Sequence, residues 1–255
     1  MLDQLLDAKV LYPAVIIVFA GAAELGAWGG RYLRGSENKG EDMGTLAGSA
    51  LGLLALLLAF TFSLALSRYE ARRALVLEEA NAIGSTANFA LMLPETAKGP
   101  VLSMLRDYAA VRIGLGVPHD PAKLERDVAK SLDLQAKLWQ QAVTVSTVTP
   151  QSLPASQFAA SLDEMNKAHE RRLMALRYHI PNAVIVMLFA VAIVAMVFTG
   201  YQVGLLETRL REASLIMAVV VGVVIVIVVD LDQPSRGLIQ VSSQALVDVA
   251  QGIPP

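Results

Sequence analysis

The chain has 255 residues, 55% of them apolar, a formal net charge of −2 and no cysteine. That apolar share, with a mean hydropathy of +0.51, exceeds what soluble domains usually carry and excludes a simple water-soluble globule. The absence of cysteine excludes disulfides and thiolate chemistry, and no Lys/Arg cluster of the kind that follows a nucleic-acid backbone is present, so nucleic acid is not an expected partner.

Crossing a bilayer core takes about 20 apolar residues as helix, and four runs have that length. The first is residues 10–30, flanked by Tyr12 and by Trp28 and Tyr32, aromatic residues that suit the two headgroup zones. A signal peptide wants a positive start, but Asp3 and Asp7 outnumber Lys9, so this run reads as a retained span. Glu24 is ionisable within it, which marks a candidate functional residue. It lies four residues before Trp28, about 6 Å from the interface, and the sequence offers Arg31 or Arg34 as its partner. Residues 31–44 form a short polar loop.

The second span, 46–67, is not uniformly apolar. Thr45, Ser49, Gly52, Leu56, Ala59/Phe60, Ser63, Ser67 and Glu70 recur every third or fourth position, on one helical face, while the other positions are mostly Leu. A helix surrounded by lipid has no reason to keep such a stripe. Two readings follow. Gly48-x-x-x-Gly52 with flanking Ser and Thr is a small-residue pattern that lets backbones touch in membranes. Alternatively, the stripe is a pore face, with hydroxyls offering ions partial rehydration and Leu56 and Phe60 narrowing the path.

Residues 68–180 are polar, charge-rich and helical in pattern, with no strand alternation. The first helix of this segment continues span two without a breaker to Pro94. Together they form a rod of about 48 residues, about 70 Å long at 1.5 Å per residue. Further helices are predicted over 99–113, from the Asp120-Pro121 start to Thr147, and from Pro154 to Ile180. Glu78 and Glu79 read as a solvated or inter-subunit face. Asn81 and Gly84, odd in a helix interior, suggest close packing. His119, His169 and His179 have no matching ligands, so no metal is expected there. Pro181 opens the third span, 182–201, and the fourth is 213–230. The remaining residues make a polar turn and a short amphipathic piece.

Lys and Arg near the span ends set orientation. Arg68, Arg72, Arg73, Arg171, Arg172 and Arg177 border the large segment, with Lys9 and Arg236 near the termini; Arg31, Arg34, Lys39, Arg209 and Arg211 are on the other side. Both termini and the large segment are therefore predicted to be cytoplasmic. The expected fold is all-α and polytopic: spans one and two within 1–67, a cytoplasmic helical domain over 68–180, spans three and four within 181–231, and a cytoplasmic C-terminal segment over 232–255.

Residues 58–75, LAFTFSLALSRYEARRAL, resemble the end of the second helix in the bestrophin family of pentameric ion channels. The shared pattern is Leu58-Ala59-Phe60, a polar stretch, Arg68-Tyr69 and Glu70-Ala71-Arg72, which singles out Arg68, Glu70 and Arg72. After span four, Asp230-Leu231-Asp232-Gln233-Pro234-Ser235-Arg236-Gly237 is similar to the acidic turn of that family. RYEARR…EANAIG with DLDQPSRG is similar to the bacterial bestrophin-like group, a domain of unknown function. The resemblance implies a homopentamer in a bacterial inner membrane, with inorganic ions and lipid as partners and no cofactor. It places the family's hydrophobic neck at Gly52, Leu56 and Phe60, with Ser49, Ser63 and Ser67 along the same stripe. Gly52 departs from the family, which has a bulky apolar residue there. It makes Ile180 the candidate for a cytoplasmic aperture. Asp230 and Asp232 stand where animal members hold calcium. Two carboxylates are too few for an ion wanting about six to eight oxygens, so pairing with Arg236 or other basic residues is the expectation.

Nothing supports an enzyme: no nucleophile–base arrangement, phosphate loop or metal cluster is legible. A secondary transporter would show repeated halves and broken helices, and neither is present. Two functions remain. One is a homo-oligomeric ion channel lined by span two. The other is a non-conducting membrane scaffold or regulator whose cytoplasmic helices bind a partner.

Overall fold

A computed structural model describes residues 8–32, 39–115, 121–206, 211–233 and 238–254; Arg34, His119, Asp120, Arg209 and Arg236 lie outside them. Among the described residues the secondary structure is helical throughout: α1 (Ala8–Tyr32), α2 (Lys39–Ala90), α3 (Glu95–Gly114), α4 (Pro121–Val148), α5 (Leu153–Arg177), α6 (Asn182–Leu205), α7 (Arg211–Asp232) and α8 (Gln244–Gly252). Span two and the helix after it form a single helix, because residues 45–90 contain no proline and their glycines are isolated between strong helix formers. Four helices are long and apolar enough to cross a membrane.

The chain divides into two compact units. The first comprises residues 1–67 and 179–239. Its core is Phe19 of α1, Leu54 of α2, Leu188, Ala192 and Met196 of α6, and Ala218 and Ile225 of α7. Here α1 packs on α6 and α7, and Phe19 meets Phe189 with ring centroids 5.8 Å apart. The α1–α6 seam is made by glycines. A Cβ at Gly26 or Gly30 would collide with the carbonyls of Val197 or Tyr201, and one at Gly200 or Gly204 with those of Ala23 or Ala27. Gly26-x-x-x-Gly30 and Gly200-x-x-x-Gly204 thus let two backbones touch, the close-contact mode of membrane helices.

The second unit comprises residues 68–178 and 240–255. Ile83, Leu102, Leu105, Leu138, Phe158, Leu162 and Leu246 form its core. Ser152 caps α5 by accepting from the Ala155 amide at 3.4 Å, with Pro154 in the first turn. The amphipathic tail becomes α8, which packs on α3. Gly84 faces it: a Cβ there would lie 3.7 Å from Val249 Cγ2.

Several boundaries differ from expectation: α2 begins at Lys39, inside the predicted loop 31–44, and α3 begins at Glu95, ahead of the predicted 99. The helix predicted to reach Ile180 stops at Arg177. A residue before proline is pushed out of the helical region by the ring, and Ile180 precedes Pro181. Its amide is taken instead by Asp232, at 3.0 and 3.1 Å from the two carboxylate oxygens.

Candidate functional site

On α2 within the first unit, Ala47, Leu54, Thr61 and Ala65 are buried. At about 100° per residue, Gly52, Leu56 and Ser63 fall roughly 160–200° from Leu54, on the opposite side of the helix. Ser49, Gly52, Leu56, Phe60, Ser63, Ser67 and Glu70 are all exposed in the single chain, Phe60 by 66%. A Cβ added at Gly48 or Gly52 would find no atom of the described residues within 4 Å beyond its chain neighbours and its own helix backbone. The small-residue pattern on α2 therefore does not seat a helix of its own subunit. That contact is made instead by the glycines of α1 and α6, whose four-residue spacing is the sequence signal for it.

Ser49 hydroxyl donates to the Thr45 carbonyl at 2.8 Å. It is satisfied locally and keeps an acceptor free on the exposed face. Arg72 is buried and Arg68 half-buried, while Glu70 is exposed. Ile180 is 2% exposed in the single chain.

Glu24 has a partner that the sequence reading did not offer, Arg211 at the start of α7; Arg34 lies outside the described residues. The fork is bidentate, Nε to Oε1 at 2.8 Å and Nη2 to Oε2 at 3.0 Å. Nothing local in the sequence reveals a partner 187 positions away. Arg236, the partner expected for the acidic turn, lies outside the described residues; among the described ones, backbone amides supply several of the turn's donors. Asp230 accepts from the Leu238 and Ile239 amides at 2.7 and 2.8 Å and from the Tyr12 hydroxyl. Asp232 accepts from Ile180, and His179 Nδ1 lies 3.9 Å from it. These oxygens are occupied by protein donors, and no group of three metal-ligating side chains occurs among the described residues.

A correction lies in the second unit. Glu78 stays at the surface, paired with Arg171, but Glu79 is completely buried. Its Oε1 accepts from Arg112 Nε at 2.6 Å and its Oε2 from Arg172 Nη1 at 2.6 Å. Tyr108 hydroxyl lies 3.4 Å from Glu79 and 3.1 Å from His169 Nδ1, and Gln135 Nε2 donates to it at 3.1 Å. Burial alone would raise the Glu79 carboxyl, but the charges and hydrogen bonds of Arg112 and Arg172 outweigh it and hold it below the usual carboxylate range. Burial, reinforced by Arg112, pushes the His169 imidazole down to about 4 against the opposite pull of Glu79. The signal for this cluster is that its charges keep apolar register. Glu79 lies between Val76 and Ile83, Arg112 follows Leu105 and Tyr108, and Arg172 follows Met165 and Ala168.

These features can be set beside known proteins. The Bestrophin-like domain family matches residues 17–246. The chain belongs to the bestrophin-like family. A crystal structure of a membrane protein is similar with a TM-score of 0.71 at 14% identity, covering 95% of this chain and 97% of that one. A second, also titled as a membrane protein, has a TM-score of 0.69 at 12% identity, covering 93% and 96%. A mutant of a bacterial bestrophin homologue from Klebsiella pneumoniae has a TM-score of 0.66 at 13% identity, covering 93% and 98%. At such identities the likeness is one of fold. No curated protein matches the chain in sequence. Family membership and four apolar helices together make this bestrophin-like chain a membrane protein.

Proposed function

We propose that this bestrophin-like protein is a homo-oligomeric ion channel whose pore is lined by α2. The carrying observation is the exposure of the whole Ser49–Gly52–Leu56–Phe60–Ser63–Ser67 stripe opposite the buried face of the helix. A single chain supplies only one wall, so the pore needs several copies around an axis, five by family resemblance. In that ring, serine hydroxyls replace part of an ion's hydration, and Leu56 and Phe60 form the narrow apolar section. Phe60 is the tightest point. Gly52, where the family has bulk, leaves the adjoining turn wide.

Ile180, the second constriction that the resemblance implies, is buried in the single chain with its amide on Asp232, so it would narrow the path only after its side chain turned outward. Arg68, Glu70 and Arg72 follow the apolar section as the first charged residues an ion meets. The second unit is assigned to the cytoplasm of a bacterial inner membrane, with both termini on that side. The protein acts as a conductor and not as an enzyme.

Reconstituted liposomes test this reading together with native mass in detergent. The proposal expects passive ion flux from a ring of several copies. Dimers without flux would favour a non-conducting scaffold and end the channel reading.

A further inference from the structure

The stripe of α2 does not stop at Ser67. Continued at the same three- and four-residue spacing, it passes through Glu70, Ala74, Leu77, Asn81, Ser85 and Asn88, every one of them exposed. From Thr45 to Asn88, Glu70 is the one ionisable residue at a stripe position. The bases nearby stand off it. At about 100° per residue, Arg73 is turned roughly 90° from the middle of the stripe and Arg68 roughly 130°. Arg72 lies almost opposite, where it is buried. Glu78, at the edge of the stripe, is tied to Arg171. Of the three charged residues that follow the apolar section, Glu70 alone therefore keeps the register of the pore face. Each copy offers a wall of hydroxyls, amides and apolar groups with a single carboxylate on it.

We propose that the Glu70 carboxylates, brought together around the axis by assembly, make the pore selective for small inorganic cations over anions. The inference rests on the pore reading of α2 given above. A ring of like charges in a low-dielectric passage draws in counter-ions and repels ions of its own sign, which raises the local cation concentration about tenfold or more. An anion finds no base on the stripe to offset that repulsion. Glu70 also lies about 15 Å along α2 beyond Phe60, so the charge filter is separate from the apolar narrowing. Substituting Glu70 changes which ion passes, not whether a path exists.

The purified full-length protein is placed in planar bilayers under a potassium chloride gradient, and the reversal potential gives the permeability ratio of potassium to chloride. The unmodified chain should favour potassium by about tenfold or more. Glu70→Gln should bring that ratio several-fold closer to unity, and Glu70→Lys should invert it in favour of chloride. The ratio should also fall as total salt is raised, because the Debye length shrinks from about 10 Å at 0.1 M to about 3 Å at 1 M. Glu70 is exposed, so both variants should melt with the unmodified protein. If either does not fold, the sign of the unmodified protein's ratio and its salt dependence decide. Currents that favour chloride, or a ratio indifferent to both substitutions, would overturn the assignment of Glu70 and leave the pore standing. No current from the unmodified protein would overturn the pore reading, and this inference with it.

Discussion

A methyl group added at Gly200 would run into the carbonyl of Ala23, whereas one added at Gly52 would meet no atom of the described residues within 4 Å beyond its chain neighbours and its own helix backbone. Gly200→Ala should therefore cost about 1–3 kcal/mol by overpacking. Gly52→Ala should leave stability unchanged or raise it by up to about 1 kcal/mol through helix propensity. Thermal melts of the two variants in one detergent compare them directly, and equal losses would contradict the assignment of the close seam to α1 and α6. The same scale governs Glu79. Glu79→Gln leaves two buried guanidiniums without a carboxylate and should cost about 3–5 kcal/mol. Arg171→Ala removes only half-exposed pairs with Glu78 and Glu164 and should cost less than about 1 kcal/mol.

At the level of elements, α2, α3 and α5 meet at His169, and their stability follows its proton. The unfolded imidazole takes up a proton near 6.5 and the folded one only near 4. Between those values the unfolded chain holds more protons, so stability falls as the pH drops through that window. At pH 5 the loss should be about 2 kcal/mol relative to pH 7.5. Glu79, whose carboxyl is depressed, adds a further loss only below its unfolded value of 4.5. His169→Gln should flatten the 4–6.5 window and leave the steeper acid limb, as read from denaturant melts across pH.

The helices themselves were legible because each rests on local signals: an unbroken apolar or amphipathic run, and proline and glycine at the ends. Pro121 and Pro154 mark starts that the structure keeps within one residue, whereas α3 begins at Glu95, four residues ahead of the predicted 99. What the sequence hid was pairing at a distance. Glu24 with Arg211, Asp230 with the Leu238 and Ile239 amides and Glu79 with Arg172 depend on tertiary contacts that no local period encodes. Glu79 was misread as solvated because charge outweighed register, although Val76 and Ile83 on either side already placed it on the buried face.

For the whole molecule, family membership and four apolar helices locate the protein in a membrane. In the proposed channel, the exposed stripe of α2 connects that fold to transport. One chain leaves Leu56 and Phe60 exposed, so the proposal places function in an assembly of several copies. The most direct measurement is the unitary conductance of the purified protein in planar bilayers, compared with Phe60→Ala. Trimming the ring at the tightest point widens the path, so the variant should conduct several-fold more per channel, with the fold retained. A silent bilayer for both proteins, or a variant that melts early without any rise in conductance, would contradict a pore lined by α2.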